Sequence, residues 1–303
     1  MVRRTALSLL MGGMVAPRSW AQENFTIRTT SRLVLLDVSV KDARGGFASG
    51  LTREKFRVYE NGKLQTITDF ANADIPVTVG IVIDESGSMR PKRPEVITAA
   101  LAFITSSNPL DEMFVLHFNE KVYSGLPESA PFTDDVKKLR TALWLTPAEG
   151  RTALYDAIFR GLQHLQKGRQ DKKTLILISD GGDNASTHDW KDVHQAVLDD
   201  VATIYTIGIF DEDDPDRNPM VLKKLAQISG GEAYFPPRLE GIVPVCKQIA
   251  KDIRTRYTIG YVPSEQNGRG IRHIKLTVSD PDRGKLIART RTEYAFSEEG
   301  SPS

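Results

Sequence analysis

Apolar positions in this chain of 303 residues change their period twice along its length. From Phe25 to Asn72 they alternate: Val34, Leu36, Val38 and Val40 stand two apart, and Phe56-Arg57-Val58-Tyr59 follows. Period two is the mark of strands with one buried face. Asn61-Gly62 is a strong hairpin signal before Leu64-Gln65-Thr66-Ile67-Thr68, which reads as a single strand. Near Ile75 the pattern switches. Short apolar, β-branched runs (Val77–Ile83, Phe114–Phe118, Thr174–Ile178, Thr203–Ile209) alternate with helical periodicities. The clearest of these places Ala153, Leu154, Ala157, Ile158, Leu162 and Leu165 on one face. Strands alternating with helices at this spacing predict a Rossmann-like, doubly wound α/β domain over 75–254, its sheet mainly parallel with helices on both faces.

From Tyr257 to Phe296 the strand period returns. Tyr257, Ile259 and Tyr261 alternate, as do Ile274, Leu276 and Val278, and Leu286–Thr292 reads as one further strand. Neither terminal zone (25–72 or 257–296) is large enough to form a stable core alone. The two flanks are therefore expected to pair into one small β-sandwich or sheet, with the α/β domain inserted between them. Residues 297–303 read as a disordered tail.

A hydrophobic fraction of 40% and a charged fraction of 26% are ordinary for a soluble globular protein. The first 21 residues read as an export signal: Arg3-Arg4, an apolar stretch from Ala6 to Ala16, and the small-x-small site Ser19-Trp20-Ala21. Removing its three arginines takes the net charge from +1 to −2, a field too weak to recruit nucleic acid or anionic lipid over the whole surface. No later segment is apolar enough to cross a membrane, so the expected location is periplasmic, extracellular or envelope-associated. Cys246 is the only cysteine and cannot form an internal disulfide; it reads as a small buried residue on a helix.

The candidate chemistry lies at strand ends, where ligands collect in open α/β sheets. Asp84-Glu85-Ser86-Gly87-Ser88 follows the Val77–Ile83 run, Asp180 follows Leu177-Ile178-Ser179, and Thr152 sits in the loop opening the Ala153 helix. Asp84 and Asp180 should reach one edge, and Thr152 can reach it too. Two carboxylates roughly 5 Å apart repel by about 3 kcal/mol at an effective dielectric near 20. A divalent cation reverses that sign. With two carboxylates and three hydroxyls on offer, it would keep water in its remaining positions.

Asp84-x-Ser86-x-Ser88, Thr152 and Asp180 resemble the metal-ion-dependent adhesion site of von Willebrand factor type A domains. The resemblance covers about 75–254. It implies that Asp84, Ser86, Ser88 and Thr152 bind Mg²⁺ or Mn²⁺ (Ca²⁺ being a further option), that Asp180 does so directly or through water, and that a partner's acidic residue completes the shell. Where many members have Gly-Gly-Thr, this chain has Gly150-Arg151-Thr152, which sets a positive charge beside the ion. The flanks resemble the VWFA-related acidobacterial-type exported proteins, through Val38-Ser39-Val40-Lys41-Asp42, Gly50–Gly62 and Tyr257–Pro263.

Other signals carry less. Asp183 reads as a loop cap and Asp156 as a helix residue buttressing loops. The acidic run Asp211–Asp216 lacks the glycine spacing of an EF-hand and reads as a solvated loop. The segment Arg254–Phe296 holds nine basic and four acidic residues, with Arg289 and Arg291 expected on one solvated strand face. His117, His164, His188, His194 and His273 show no zinc-type spacing. The expected function is non-enzymatic: a metal-dependent module for adhesion or assembly, recognising a protein partner's Asp or Glu. The alternative is a structural envelope protein whose metal site only stabilises or is vestigial. Phosphoryl transfer is disfavoured because Ser86 stands where a second aspartate would do acid–base work.

Overall fold

The computed structural model describes residues 33–144, 148–210 and 217–297. The expected leader, the Asp211–Asp216 run and residues 298–303 of the tail lie outside them. The first flank carries β1 (Val34–Asp42), β2 (Phe56–Glu60), β3 (Lys63–Gln65) and β4 (Ile67–Ala71). The α/β part begins with β5 (Val77–Asp84), α1 (Arg93–Ser106), β6 (Glu112–Phe118), β7 (Val122–Ser124) and α2 (Val136–Ala142). It continues with α3 (Leu154–Leu165), β8 (Lys172–Ser179), α4 (Trp190–Asp199) and β9 (Thr203–Gly208). It closes with α5 (Pro219–Ser229), β10 (Ala233–Tyr234) and α6 (Ile242–Thr255). The second flank holds β11 (Tyr257–Tyr261), β12 (Gly270–Val278), β13 (Leu286–Arg289) and β14 (Glu293–Phe296).

Every residue of β5 and β6 is buried, as expected for strands covered on both faces. They lie in a six-stranded sheet of order β10-β9-β8-β5-β6-β7, parallel throughout except for the edge strand β7. α1 packs with α6 and α2, and α3 with α4, which in turn meets α5, so helices cover both faces. α3 lays the predicted stripe of Leu154, Ala157, Ile158, Leu162 and Leu165 on the sheet. Cys246 is buried on α6, where burial alone pushes its thiol up to about 12.

The flanks form two four-stranded antiparallel sheets, β13-β1-β11-β4 and β14-β12-β2-β3, each mixing strands from both ends of the chain. Leu36, Val38, Phe56, Val58, Tyr257, Ile259 and Tyr261 fill the core between them. Asn61 and Gly62, at φ 48° and 81°, make the predicted hairpin between β2 and β3. The run after it is not one strand. It breaks at Thr66, and β4 crosses to pair with β11, which brings Phe70 within 5.4 Å of Phe56 and 5.7 Å of Tyr257, centroid to centroid. Leu286–Thr292 also breaks. β13 stops at Arg289, and Thr292 N donates to Ile228 O (3.2 Å) over the left-handed Gly230 that ends α5. A Cβ on Gly230 would come within 2.3 Å of Arg291 N, so the close crossing needs glycine there.

Arg256, between α6 and β11, is 3% exposed and ties the two parts together. Its guanidinium donates to Gly230 O (2.8 Å), Tyr205 Oη (3.1 Å) and Asp37 O (3.3 Å). Tyr205 Oη in turn donates to Asp252 Oδ2 (2.8 Å). No described helix is long and apolar enough to cross a membrane.

Candidate metal centre

β5 and β8 are parallel neighbours, paired as far as Ile83 opposite Ile178, so their C-terminal ends open on one edge. Asp84 and Asp180 emerge there, 1% and 2% exposed. Asp84 Oδ1 accepts from Ser86 N (2.9 Å) and Oδ2 from Ser179 Oγ (2.6 Å). Asp180 Oδ1 accepts from Gly182 N (3.1 Å), and Oδ2 from Ser88 Oγ (2.7 Å). Ser88 Oγ lies 3.1 Å from Ser86 Oγ. Four of the five predicted oxygen-bearing side chains thus form one cluster.

Thr152 joins that edge through its loop. Gly87 N donates to Gly150 O (3.1 Å), Glu149 N to Glu85 O (2.8 Å) and Arg90 Nε to Ala148 O (2.8 Å). Asn184 latches Thr152 from the β8 side: its Oδ1 accepts from Thr152 N and its N donates to Thr152 O, both at 2.9 Å. Thr152 is 6% exposed. Its hydroxyl makes no hydrogen bond with a described residue. Gly181, at φ 81°, lets the next loop pass under Asn218, whose carbonyl oxygen would stand 2.4 Å from a Cβ there.

Electrostatics set this cluster apart. Burial and then the neighbouring Asp180 push the Asp84 carboxyl up to about 7, against the hydrogen bonds from Ser179 and Ser86. No basic side chain pairs with either carboxylate among the described residues. Arg93 Nε binds Glu85 Oε2 (2.8 Å), Lys92 Nζ donates to Ile209 O (3.1 Å) and Arg151 Nε binds Glu120 Oε1 (3.2 Å). A buried acidic pair with hydroxyls around it and no cation from the described residues fits a hard divalent ion with oxygen ligands. Among the described residues no three His, Cys, Asp or Glu side chains gather in a metal-holding group, so the fit rests on carboxylates and hydroxyls combined.

Three supporting residues were not foreseen. Ser179 orients Asp84, and Asn184 latches Thr152. Glu85, 1% exposed, binds His117 Nδ1 (3.0 Å) as well as Arg93, while His117 Nε2 faces Ala142 O (2.7 Å). In the sequence Glu85 looks like an exposed loop acid, and nothing local marks partners 8 and 32 positions away. Asp183 does cap a loop, its Oδ1 accepting from Tyr155 N (3.2 Å) and Ser186 Oγ (2.5 Å). Asp156 holds Thr187 N (3.0 Å), His188 N (3.0 Å) and His188 Nδ1 (2.7 Å), which braces the loop after β8. Arg151 is exposed at the rim. The expected arginine strand face is absent: Arg289 pairs with Glu232 (2.6 Å), and Arg291, beyond the strand, reaches the carbonyls of Leu198 (3.3 Å) and Val197 (3.4 Å).

Residues 79–182 match the family described as von Willebrand factor type A domain. Among solved structures, the chain is similar to a von Willebrand factor type A protein from Catenulispora acidiphila, at 16% identity and TM-score 0.53, covering 91% of this chain and 77% of that one. Proximal thread matrix protein 1 from the mussel byssus is similar at 13% identity and TM-score 0.50, covering 64% and 51%. A form of that thread protein described as having a zinc-occupied MIDAS motif matches at 14% identity and TM-score 0.49, covering 59% and 48%. No curated protein matches. The α/β part of the chain has the von Willebrand factor type A fold.

Proposed function

We propose that this chain is an exported, non-enzymatic protein-binding module for adhesion or assembly. In this reading it recognises a partner's Asp or Glu through a divalent cation held by Asp84, Ser86, Ser88, Thr152 and Asp180. One observation carries the reading: Asp84 and Asp180 are buried together, joined through the Ser86 and Ser88 hydroxyls, and given no basic partner by the described chain. A bound Mg²⁺, Mn²⁺ or Ca²⁺ would neutralise that pair and offer the incoming carboxylate an electrophilic position. The chain's own residues supply the rest. Ser179 and the Ser86 amide hold Asp84, Gly182 N holds Asp180, and the 148–152 loop is stitched to the 84–90 loop by three hydrogen bonds. The donors are therefore oriented before an ion arrives, which lowers the ordering cost of binding.

The leader motif supports export to the periplasm or beyond, and the flank motifs at 38–62 and 257–263 support membership of the acidobacterial-type exported group. The test is Mn²⁺ binding followed by electron paramagnetic resonance, with capture from envelope extract run in Mg²⁺ and in chelator. The reading expects Mn²⁺ to bind, partner capture to vanish in chelator and in Asp84→Ala, and circular dichroism to stay nearly unchanged. Capture that survives both changes would refute the recognition mechanism. A melting temperature raised by metal, with no dependence of capture on a partner's acidic group, would favour the structural envelope protein instead.

A further inference from the structure

A cavity of about 630 Å³ lies between the α5–β10 side of the α/β part and the sandwich, far from any use made of the chain above. Its size falls in the range of sites that hold small ligands, and such sites favour junctions between domains. Phe235, Ile274 and Leu276 give it an apolar wall. The charge on its lining is not balanced. Glu232, its one acidic residue, is consumed by Lys41 (2.5 Å), Arg289 (2.6 Å) and the Tyr234 hydroxyl (2.6 Å). Lys223 and Lys275, exposed at the rim, make no ion pair with a described residue. Arg291 spends its guanidinium on carbonyl oxygens of Glu293 (3.2 Å), Leu198 and Val197, and no carboxylate lies within ion-pair distance among the described residues.

We infer that this interdomain cleft binds an amphiphilic carboxylate, an apolar chain ending in a single acid group. Its chain would lie along Phe235, Ile274 and Leu276, with its head toward Lys223 and Lys275. An apolar wall beside two exposed lysines without a carboxylate partner selects this chemistry: a cationic amphiphile is repelled, and a neutral one leaves the lysines unused.

The experiment is isothermal titration of the full chain with dodecanoate below its micelle concentration, in chelator so that the metal centre plays no part. Saturable binding of one dodecanoate per chain is expected, with dodecyltrimethylammonium bound at least tenfold more weakly. The double variant K223E/K275E, altered only at exposed positions, should weaken dodecanoate at least tenfold while keeping the wild-type melting temperature. Non-saturable uptake, equal binding of the cationic amphiphile, or indifference to charge reversal would overturn the inference. So would an apolar tripeptide with a free carboxyl terminus that binds while dodecanoate does not. None of these outcomes bears on the metal centre, which is silent in chelator.

Discussion

Glu60 in the sandwich and Asp84 at the strand edge are buried to nearly the same degree, 2% and 1% exposed, yet they are treated in opposite ways. Glu60 Oε1 accepts from Arg272 Nη1 (2.5 Å), and its Oε2 accepts from the hydroxyls of Tyr261 (2.6 Å) and Tyr294 (2.8 Å). Its charge is fully matched inside the chain, and burial together with that carboxylate pushes both phenols above their ordinary values. Asp84 has hydrogen bonds but faces a second carboxylate where Glu60 faces a guanidinium. Burial of charge is costly unless it is paired. Glu60 is paired and therefore structural. Asp84 has no cationic partner among the described residues, which is what the proposed cation site requires.

Breaking the sandwich side should have the largest effect. Arg272→Leu leaves Glu60 as a buried, unpaired charge and should cost about 3–5 kcal/mol in denaturant unfolding, with no rescue by Mg²⁺ or Mn²⁺. If metal restored that loss, the division between the two acids would be wrong.

The strand-edge side should respond to pH in the metal-free chain. Asp84 has its folded-state value raised from 3.8 to about 7, so the folded chain binds the proton more tightly than the unfolded one. Its contribution is therefore present at low pH and is lost as pH rises from about 4 to about 7, by up to about 4 kcal/mol. The stability of the native chain minus that of Asp84→Asn, both in chelator, should show that fall. Saturating Mn²⁺ should remove it in the native chain but have no effect on the variant. A native-minus-variant difference that stays flat or rises across this range would contradict the assignment.

Asp156→Ala sharpens the contrast from the supporting loops. It removes the carboxylate that holds Thr187 and His188, and should lower stability by about 1–2 kcal/mol and weaken Mn²⁺ binding several-fold through the slackened loop. The smallest effect is expected at the rim. Arg151 and Glu120 are exposed partners, so Arg151→Ala should leave the melting temperature unchanged and should raise Mn²⁺ affinity only slightly, by removing a nearby positive charge.

Some of this contrast was legible in the residue pattern. The apolar runs that became β5, β6, β8 and β9 are too uniform for one-sided strands, and the α3 stripe repeats every three or four residues. Asp84, Ser86 and Ser88 are close in sequence, and a loop leaving a strand brings them together whatever the rest of the chain does. Other features were hidden. The break at Thr66 sends β4 to the other sheet because Phe70 packs with Phe56 and Tyr257, and the partner ring of Tyr257 lies 187 positions from Phe70. Arg291 leaves its strand because the chain must cross Gly230, which no local pattern announces.

The order of strands and helices, the two-part division and the oxygen-rich loops follow from short-range periodicity and spacing, which the linear chain carries within itself. Which acids are neutralised was decided only in three dimensions. Glu60 meets Arg272 from 212 positions away, and Asp84 meets Ser179 from 95 and no guanidinium among the described residues. Burial and compensation belong to the packed structure, because each depends on side chains that only folding makes neighbours.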